Sequence, residues 1–149
     1  MLIEHGTLIL VLDGAHMALY RNAAHNLKCE LELINERHHD TPKTADIGTS
    51  GPGRSFASGA GESRRNTYET TDYHQQEENH FAAESIRLLE AKQREHKMPV
   101  ILIAPPKILG VVRKKYGAEL QQAIIAEIHH DYVQKSRHEI AELLVSYQQ

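Results

Sequence analysis

The chain has 149 residues, 40% of them hydrophobic, which is the length of one domain and enough to bury a core without a disulfide or metal staple. A single cysteine, Cys29, excludes an internal disulfide framework and fits a reducing compartment. A net charge of −3 excludes a protein that coats nucleic acid by bulk charge and leaves room only for a local basic patch.

Met1 to His5 carries Glu4 and no Lys or Arg, so it lacks the positive start of a targeting signal. The apolar run Leu8 to Leu12 is far too short to span a bilayer, and no later run is longer. A soluble, cytoplasmic protein is expected. Leu8 to Leu12 is continuously apolar and reads as a central strand buried on both faces. Asp13-Gly14 is a hairpin turn signal, His16 to Arg21 reads as a second strand, and Asn22 to Asn26 as another turn. Leu27, Cys29, Leu31 and Leu33 alternate with Lys28, Glu30 and Glu32, the period of a half-buried strand. A three-stranded antiparallel meander is therefore expected over the first third.

From Thr41 to Thr71 the chain is nearly free of apolar residues, and five of the nine glycines fall there: Gly48, Gly51, Gly53, Gly59 and Gly61. Such a stretch buries too little surface to offset the entropy of ordering it, so a long flexible loop is expected at about 41–71. Helical periodicity follows. Asp72 with Gln75 has a capping-box pattern, and Phe81, Ala82, Ser85, Ile86, Leu88 and Leu89 form one wide face of a helix running to about His96. Val100 to Ile103 reads as a second buried strand. Pro105-Pro106 end it and can open a helix with Ile108, Leu109, Val112 and Tyr116 on one face and Gly117 as its stop. Ile124 to His130 reads as a last strand, with helix as the alternative. Ser136 and Glu139 form a second capping box, before Ile140, Leu143, Leu144 and Tyr147 at helical spacing. The order β-β-β, long loop, α-β-α-β-α requires right-handed parallel crossovers. It predicts one α/β domain over 1–149, a ribonuclease-H-like mixed five-stranded sheet with helices on its faces.

Eleven histidines stand out, with His-His-Asp at His38-His39-Asp40 and again at His129-His130-Asp131. Neighbouring histidines on a strand point to opposite faces and cannot chelate together. His74 with Glu78, and Gln76 with His80, have i, i+4 spacing, but no His-Glu-x-x-His is present. Solvated histidine is the expectation, with no metal and no cofactor. A two-metal nuclease needs several converging carboxylates. Asp13, Glu30 and Asp131 are the candidates, yet Asp13 is also explained as a turn residue and Glu30 by the wet face of its strand. Cys29 alternates with leucines and reads as a small core residue, and no catalytic set is expected. The glycine-rich stretch lacks the Gly-Lys-Ser/Thr of a phosphate loop. Its Arg54, Arg64 and Arg65 can nonetheless meet phosphate, together with a basic cluster of Lys107, Arg113, Lys114 and Lys115 on one helix. Weak, salt-dependent contact with RNA is the partner expected from these residues.

A family resemblance rests on Val11-Leu12-Asp13-Gly14-Ala15 with Ala18-Leu19-Tyr20, and on Pro52-Gly53-Arg54-Ser55-Phe56. It continues in Glu77-Glu78 with Phe81-Ala82, then Leu102-Ile103-Ala104-Pro105-Pro106 with Leu109-Gly110, then Glu127-Ile128 with Asp131, and His138-Glu139-Ile140. In these segments, which run nearly the whole chain in order, it resembles the bacterial host attachment proteins, described as required for attachment to host cells. That family is related in fold to the middle domain of archaeal and eukaryotic peptide-chain release factors, whose long loop carries Gly-Gly-Gln into the ribosomal catalytic centre. The matching place here reads Gly59-Ala60-Gly61-Glu62, and no Gly-Gly-Gln occurs. The resemblance implies a noncatalytic interaction protein acting at RNA or the ribosome through its long loop. The alternatives are a nuclease-like hydrolase acting on RNA or a nucleotide-linked substrate, or an adhesion factor. No oligomeric state is implied.

Overall fold

The computed structural model describes residues 1–26, 28–39 and 60–148, with the side chains of the first helix described from Tyr73 onward. Five strands, β1 (Leu8–Leu12), β2 (His16–Asn22), β3 (Leu31–His38), β4 (Val100–Ala104) and β5 (Ile124–His129), form one mixed sheet in the order β3-β2-β1-β4-β5. The β1–β2 and β2–β3 pairs are antiparallel, and β1–β4 and β4–β5 are parallel. This is the predicted α/β architecture. β1 and β4 are apolar throughout and buried at every position, because each lies between two other strands with helices over both faces.

Four helices accompany the sheet: α1 (Ala60–His96), α2 (Pro106–Arg113), α3 (Ala118–Ala123) and α4 (Arg137–Ser146). Strand alternation divides the core in two. Leu8, Leu10 and Leu12 with Leu102 pack against Phe81, Ile86 and Leu89 of α1 and Leu109 and Val112 of α2. Ile9, Val11, Ile101 and Ile103 face Ile140 and Leu144 of α4 instead.

Three expectations are corrected. The meander's third strand begins at Leu31, not Leu27, and runs on to His38. Asn22 causes the shift. Buried as the last residue of β2, it donates to the carbonyls of Ile3 (3.0 Å) and Glu4 (3.3 Å) and accepts from the Ala24 and Glu30 amides (3.1 Å each). These bonds hold the β2–β3 connection open up to Glu30. Leu31 and Leu33 face α4 in ordinary alternation, and a bulge opposite Leu19/Tyr20 then inserts Ile34 as an extra residue on the α1 side, with Asn35 paired to Leu19, which ends the simple period of two.

Helix α1 already runs from Ala60, so Asp72 lies inside it and does not cap it. The predicted loop at 41–71 is helical over its last residues, and its remainder lies outside the described residues. Gly117 does not simply stop α2, which ends at Arg113. It instead precedes the unforeseen short helix α3, which buries Leu120, and its amide donates to Glu90 Oε2 at 3.1 Å.

The other signals hold. Pro105 precedes α2 in extended conformation with Pro106 in its first turn. Ser136 accepts from the Glu139 amide while the Glu139 carboxylate reaches back to the Ser136 amide, the complete capping box. At the far end of α4 the Met1 ammonium donates to the carbonyls of Val145 (2.8 Å) and Tyr147 (2.9 Å). Among the described residues no helix is long and apolar enough to cross a membrane. Because α4 shields the second face of the sheet, its cap is worth measuring. Ser136→Ala is expected to lower unfolding free energy by about 1 kcal/mol, and Ser136→Gly by only a few tenths, in urea titration.

Candidate functional site

Strand direction selects one edge of the sheet. β1, β3, β4 and β5 all point the same way, and antiparallel β2 starts where they end. The loops at this carboxyl edge are where open α/β sheets place ligands. They include the β1–β2 turn and the exits of β3, β4 and β5.

The turn is built by Asp13. Its Oδ1 accepts from the amides of Ala15 (2.8 Å) and His16 (2.7 Å), which is the turn role expected of it. The Ala15 carbonyl accepts in turn from the His39 amide at 2.7 Å, tying the exit of β3 to the turn. Helix α1 crosses above, and two adjacent glutamates reach different elements from it. Glu77 Oε2 lies 2.7 Å from His39 Nε2, and the His39 ring stacks on Phe81 with centroids 6.0 Å apart. Glu78 lies along Gly14, where a Cβ would meet its Cγ at 2.7 Å, and its carboxylate stands 3.7 Å from Lys107 Nζ. About two turns further, Glu84 meets both Arg37 (3.5 Å) and His80 (3.1 Å). The motif residues Gly14, Glu77, Glu78 and Phe81 therefore do one job together: they fix α1 across the carboxyl edge.

The predicted basic cluster is not one patch. Lys107 sits at the edge. Arg113, Lys114 and Lys115 follow some six to eight residues on, about 10 Å along the helix direction. Arg113 Nε donates to both Glu127 oxygens (3.1 and 3.3 Å), and its guanidinium lies 3.4 Å from His129 Nε2. Tyr116 donates to the same carboxylate at 2.9 Å, and burial together with Glu127 pushes its phenol above the ordinary range. Lys114 and Lys115 are exposed, and among the described residues neither forms an ion pair. Gly53, Arg54 and Ser55 lie outside the described residues. Arg64 and Arg65 lie on the backbone of α1, and their side chains are likewise outside. A Cβ at Gly110 would meet nothing within 4 Å, so packing does not explain that motif glycine.

The nuclease carboxylates do not converge. Asp13 and Asp131 follow strands at the carboxyl edge, whereas Glu30 precedes β3 at the opposite edge. Among the described residues no group of three or more His, Cys, Asp or Glu is arranged to hold a metal ion. Cys29 is half-buried and packs against the α4-side core, as a small core residue would. It also lines an open groove of about 760 Å³ with Lys28, Tyr132, His138 and Leu143, and burial pushes its thiol up to about 11. Sequence reasoning weighed each His-His-Asp run alone and missed their shared position. His38-His39 closes β3 and His129-His130 closes β5, so both runs stand at the same edge. The second run ends a predicted strand, but the first lies beyond the alternation that stops at Leu33, so the sequence held no signal that joins the two.

The family model of bacterial archaeo-eukaryotic release factor family 12 matches residues 6–144, nearly the whole chain. No curated protein matches it.

Two measurements probe this geometry. Gly14→Ala is expected to destabilise the domain by about 1–3 kcal/mol through overpacking against Glu78. In a Glu78→Ala background, which removes the Cγ and Cδ contacts, the same change should cost clearly less; equal costs in the two backgrounds would refute the packing account. Because the thiolate is the nucleophile, a thiol raised to about 11 holds little thiolate near neutral pH. Alkylation of Cys29 by iodoacetamide at pH 8 should therefore run about a hundredfold or more slower than that of a free thiol and keep accelerating up to about pH 11.

Proposed function

We propose, since the chain belongs to bacterial archaeo-eukaryotic release factor family 12, that it engages the ribosome or its RNA by binding rather than by catalysis, in the cytoplasm. The observation that carries the reading is the extent of the family match, which takes in the sheet, the glycine-rich segment and α1 together. Two further features support it. The segment 40–59 leaves from His39 at the carboxyl edge and returns into α1, which at 37 residues is about 55 Å long against a strand of about 17 Å. The part of α1 preceding Phe81 thus has length to reach beyond the sheet. Absence of Gly-Gly-Gln removes the motif that release factors carry into the catalytic centre, so contact rather than peptide release fits this chain. In this reading Arg54, Arg64, Arg65, Lys107, Lys114 and Lys115 are the phosphate-facing side chains. Arg113 contributes less, being held by Glu127. Attachment to host cells, for which the resembled family is named, would then follow from an effect on translation and not from adhesion.

The test is co-sedimentation with bacterial ribosomes at about 50 mM and about 200 mM salt. Binding through few phosphates should weaken steeply between the two, because neutralising them releases condensed counterions. Lys114→Ala with Lys115→Ala should reduce binding and flatten the salt slope by about one unit for each phosphate left without its lysine, with folding unchanged because both side chains are exposed. Unchanged affinity and slope would reduce these lysines to a solvated face. Cleavage of the RNA that EDTA abolishes would overturn the binding-only reading in favour of a hydrolase.

A further inference from the structure

The carboxyl edge gathers His16, His38 and His39 on the β2–β3 side and His129 and His130 at the end of β5. His38, His129 and His130 are exposed, and His16 and His39 are partly so. From β3 to β5 is four strand spacings, about 19 Å, with Lys107 between at the exit of β4. The carboxylates along the same edge are Asp13, Glu77, Glu78 and Asp131. They outnumber the fixed cation Lys107, while Arg37 is matched by Glu84 and Arg113 by Glu127. The described edge is therefore acidic while its histidines are neutral and turns basic once they take up protons. The whole chain behaves alike, moving from −3 with neutral histidines to +8 when all eleven are charged.

Each histidine has identified neighbours. Asp13 Oδ1 lies 3.4 Å from His16 Nδ1, and the His16 and His38 rings stand 4.2 Å apart, so charging both meets mutual repulsion. Glu77 faces His39, while Arg113 and Glu127 face His129. The Tyr132 ring lies beside His130, whose chain neighbour is Asp131. Histidine is the side chain that ordinarily changes charge between pH 5 and 8.

We infer that the carboxyl edge is a binding face for the phosphodiester backbone of single-stranded RNA, with its edge histidines deciding by protonation whether it repels or attracts that backbone. This rests on the RNA reading above and adds the regulation of its binding face. Lys114 and Lys115 lie off this edge, beyond the end of α2, and keep their charge across this range, so they carry the part of binding that does not vary with pH, and the edge histidines carry the part that does.

The experiment measures binding of a fluorescent single-stranded oligouridylate to the full chain at about pH 7.5 and about pH 6, at constant ionic strength. The expected result is affinity about tenfold or more higher at the lower pH, with a salt slope steeper by about 0.7 for each further phosphate neutralised. For the triple variant His38→Asn, His129→Asn, His130→Asn the readout is the ratio of its own affinities at the two pH values, and it should lose most of the gain. The control triple His5→Asn, His25→Asn, His138→Asn, all exposed and none at the exit of β3 or β5, should keep the gain. Thermal melts establish that each variant is folded, and the three single variants replace the triple if it is not. Equal parental affinity at both pH values overturns the inference and leaves the RNA reading standing, as does a gain that persists in the edge variant. Absence of RNA binding at either pH overturns both.

Discussion

The fold depends on one strand being buried on both faces. β1 pairs antiparallel with β2 and parallel with β4, and each of its five side chains is essentially inaccessible to water. Burying an aliphatic side chain contributes about 1.5–3 kcal/mol, so these five residues supply stabilisation comparable to the whole net stability of a domain this size. They also set direction. The antiparallel hairpin with β2 comes from the Asp13-Gly14 turn, whereas parallel pairing with β4 requires a crossover, which α1 provides. Once β1 is placed, β3, β4 and β5 all end at the edge where it ends.

That constraint explains how adjacent residues in one helix serve a single edge. Successive side chains on a helix project about 100° apart, so Glu77 and Glu78 cannot reach the same partner. Glu77 meets His39 beyond β3, and Glu78 lies between Gly14 and Lys107 on the β1 and β4 side. As partly exposed ion pairs, screened by solvent, these contacts stabilise the fold little. Their effect is geometric. They fix the point at which α1 passes the sheet, and thereby the direction in which its earlier turns extend.

The sequence was most legible where local chemistry and tertiary packing agree. β1 and β4 are apolar without interruption because both faces are buried, and the Ser136–Glu139 box and the Pro105-Pro106 start state their roles in local terms. It was least legible where a long-range contact overrides a local pattern. The alternation Leu27-Cys29-Leu31-Leu33 suggested a strand four residues too early, because the bonds Asn22 makes to Ile3, Glu4 and Glu30 cannot be seen in a period of two. Helix α1 starts in a region whose glycine, serine and arginine content argued for loop, and α3 is too short to show periodicity. For the site, Asp13 and Lys107 could be placed from the sequence, but the partition of Arg113 to Glu127 could not. It depends on β5 lying beside β4 with Glu127 facing α2, a fact of register.

Register also decides what chemistry the edge can supply. A nucleophile requires a group ionised or activated at neutral pH, and the one thiol is held protonated by burial on the other face of the sheet. A two-metal centre requires carboxylates brought together, and strand direction sends Glu30 to the far edge from Asp13 and Asp131. What strand direction does bring together is charge: His38, His39, His129, His130 and Asp131, Lys107, and the carboxylates of the turn and of α1. Groups of this kind act over several ångströms without close orbital alignment, and their effect grows with number more than with precision. The strand direction that keeps the three carboxylates apart is thus the same one that concentrates charged and ionisable side chains at a single edge.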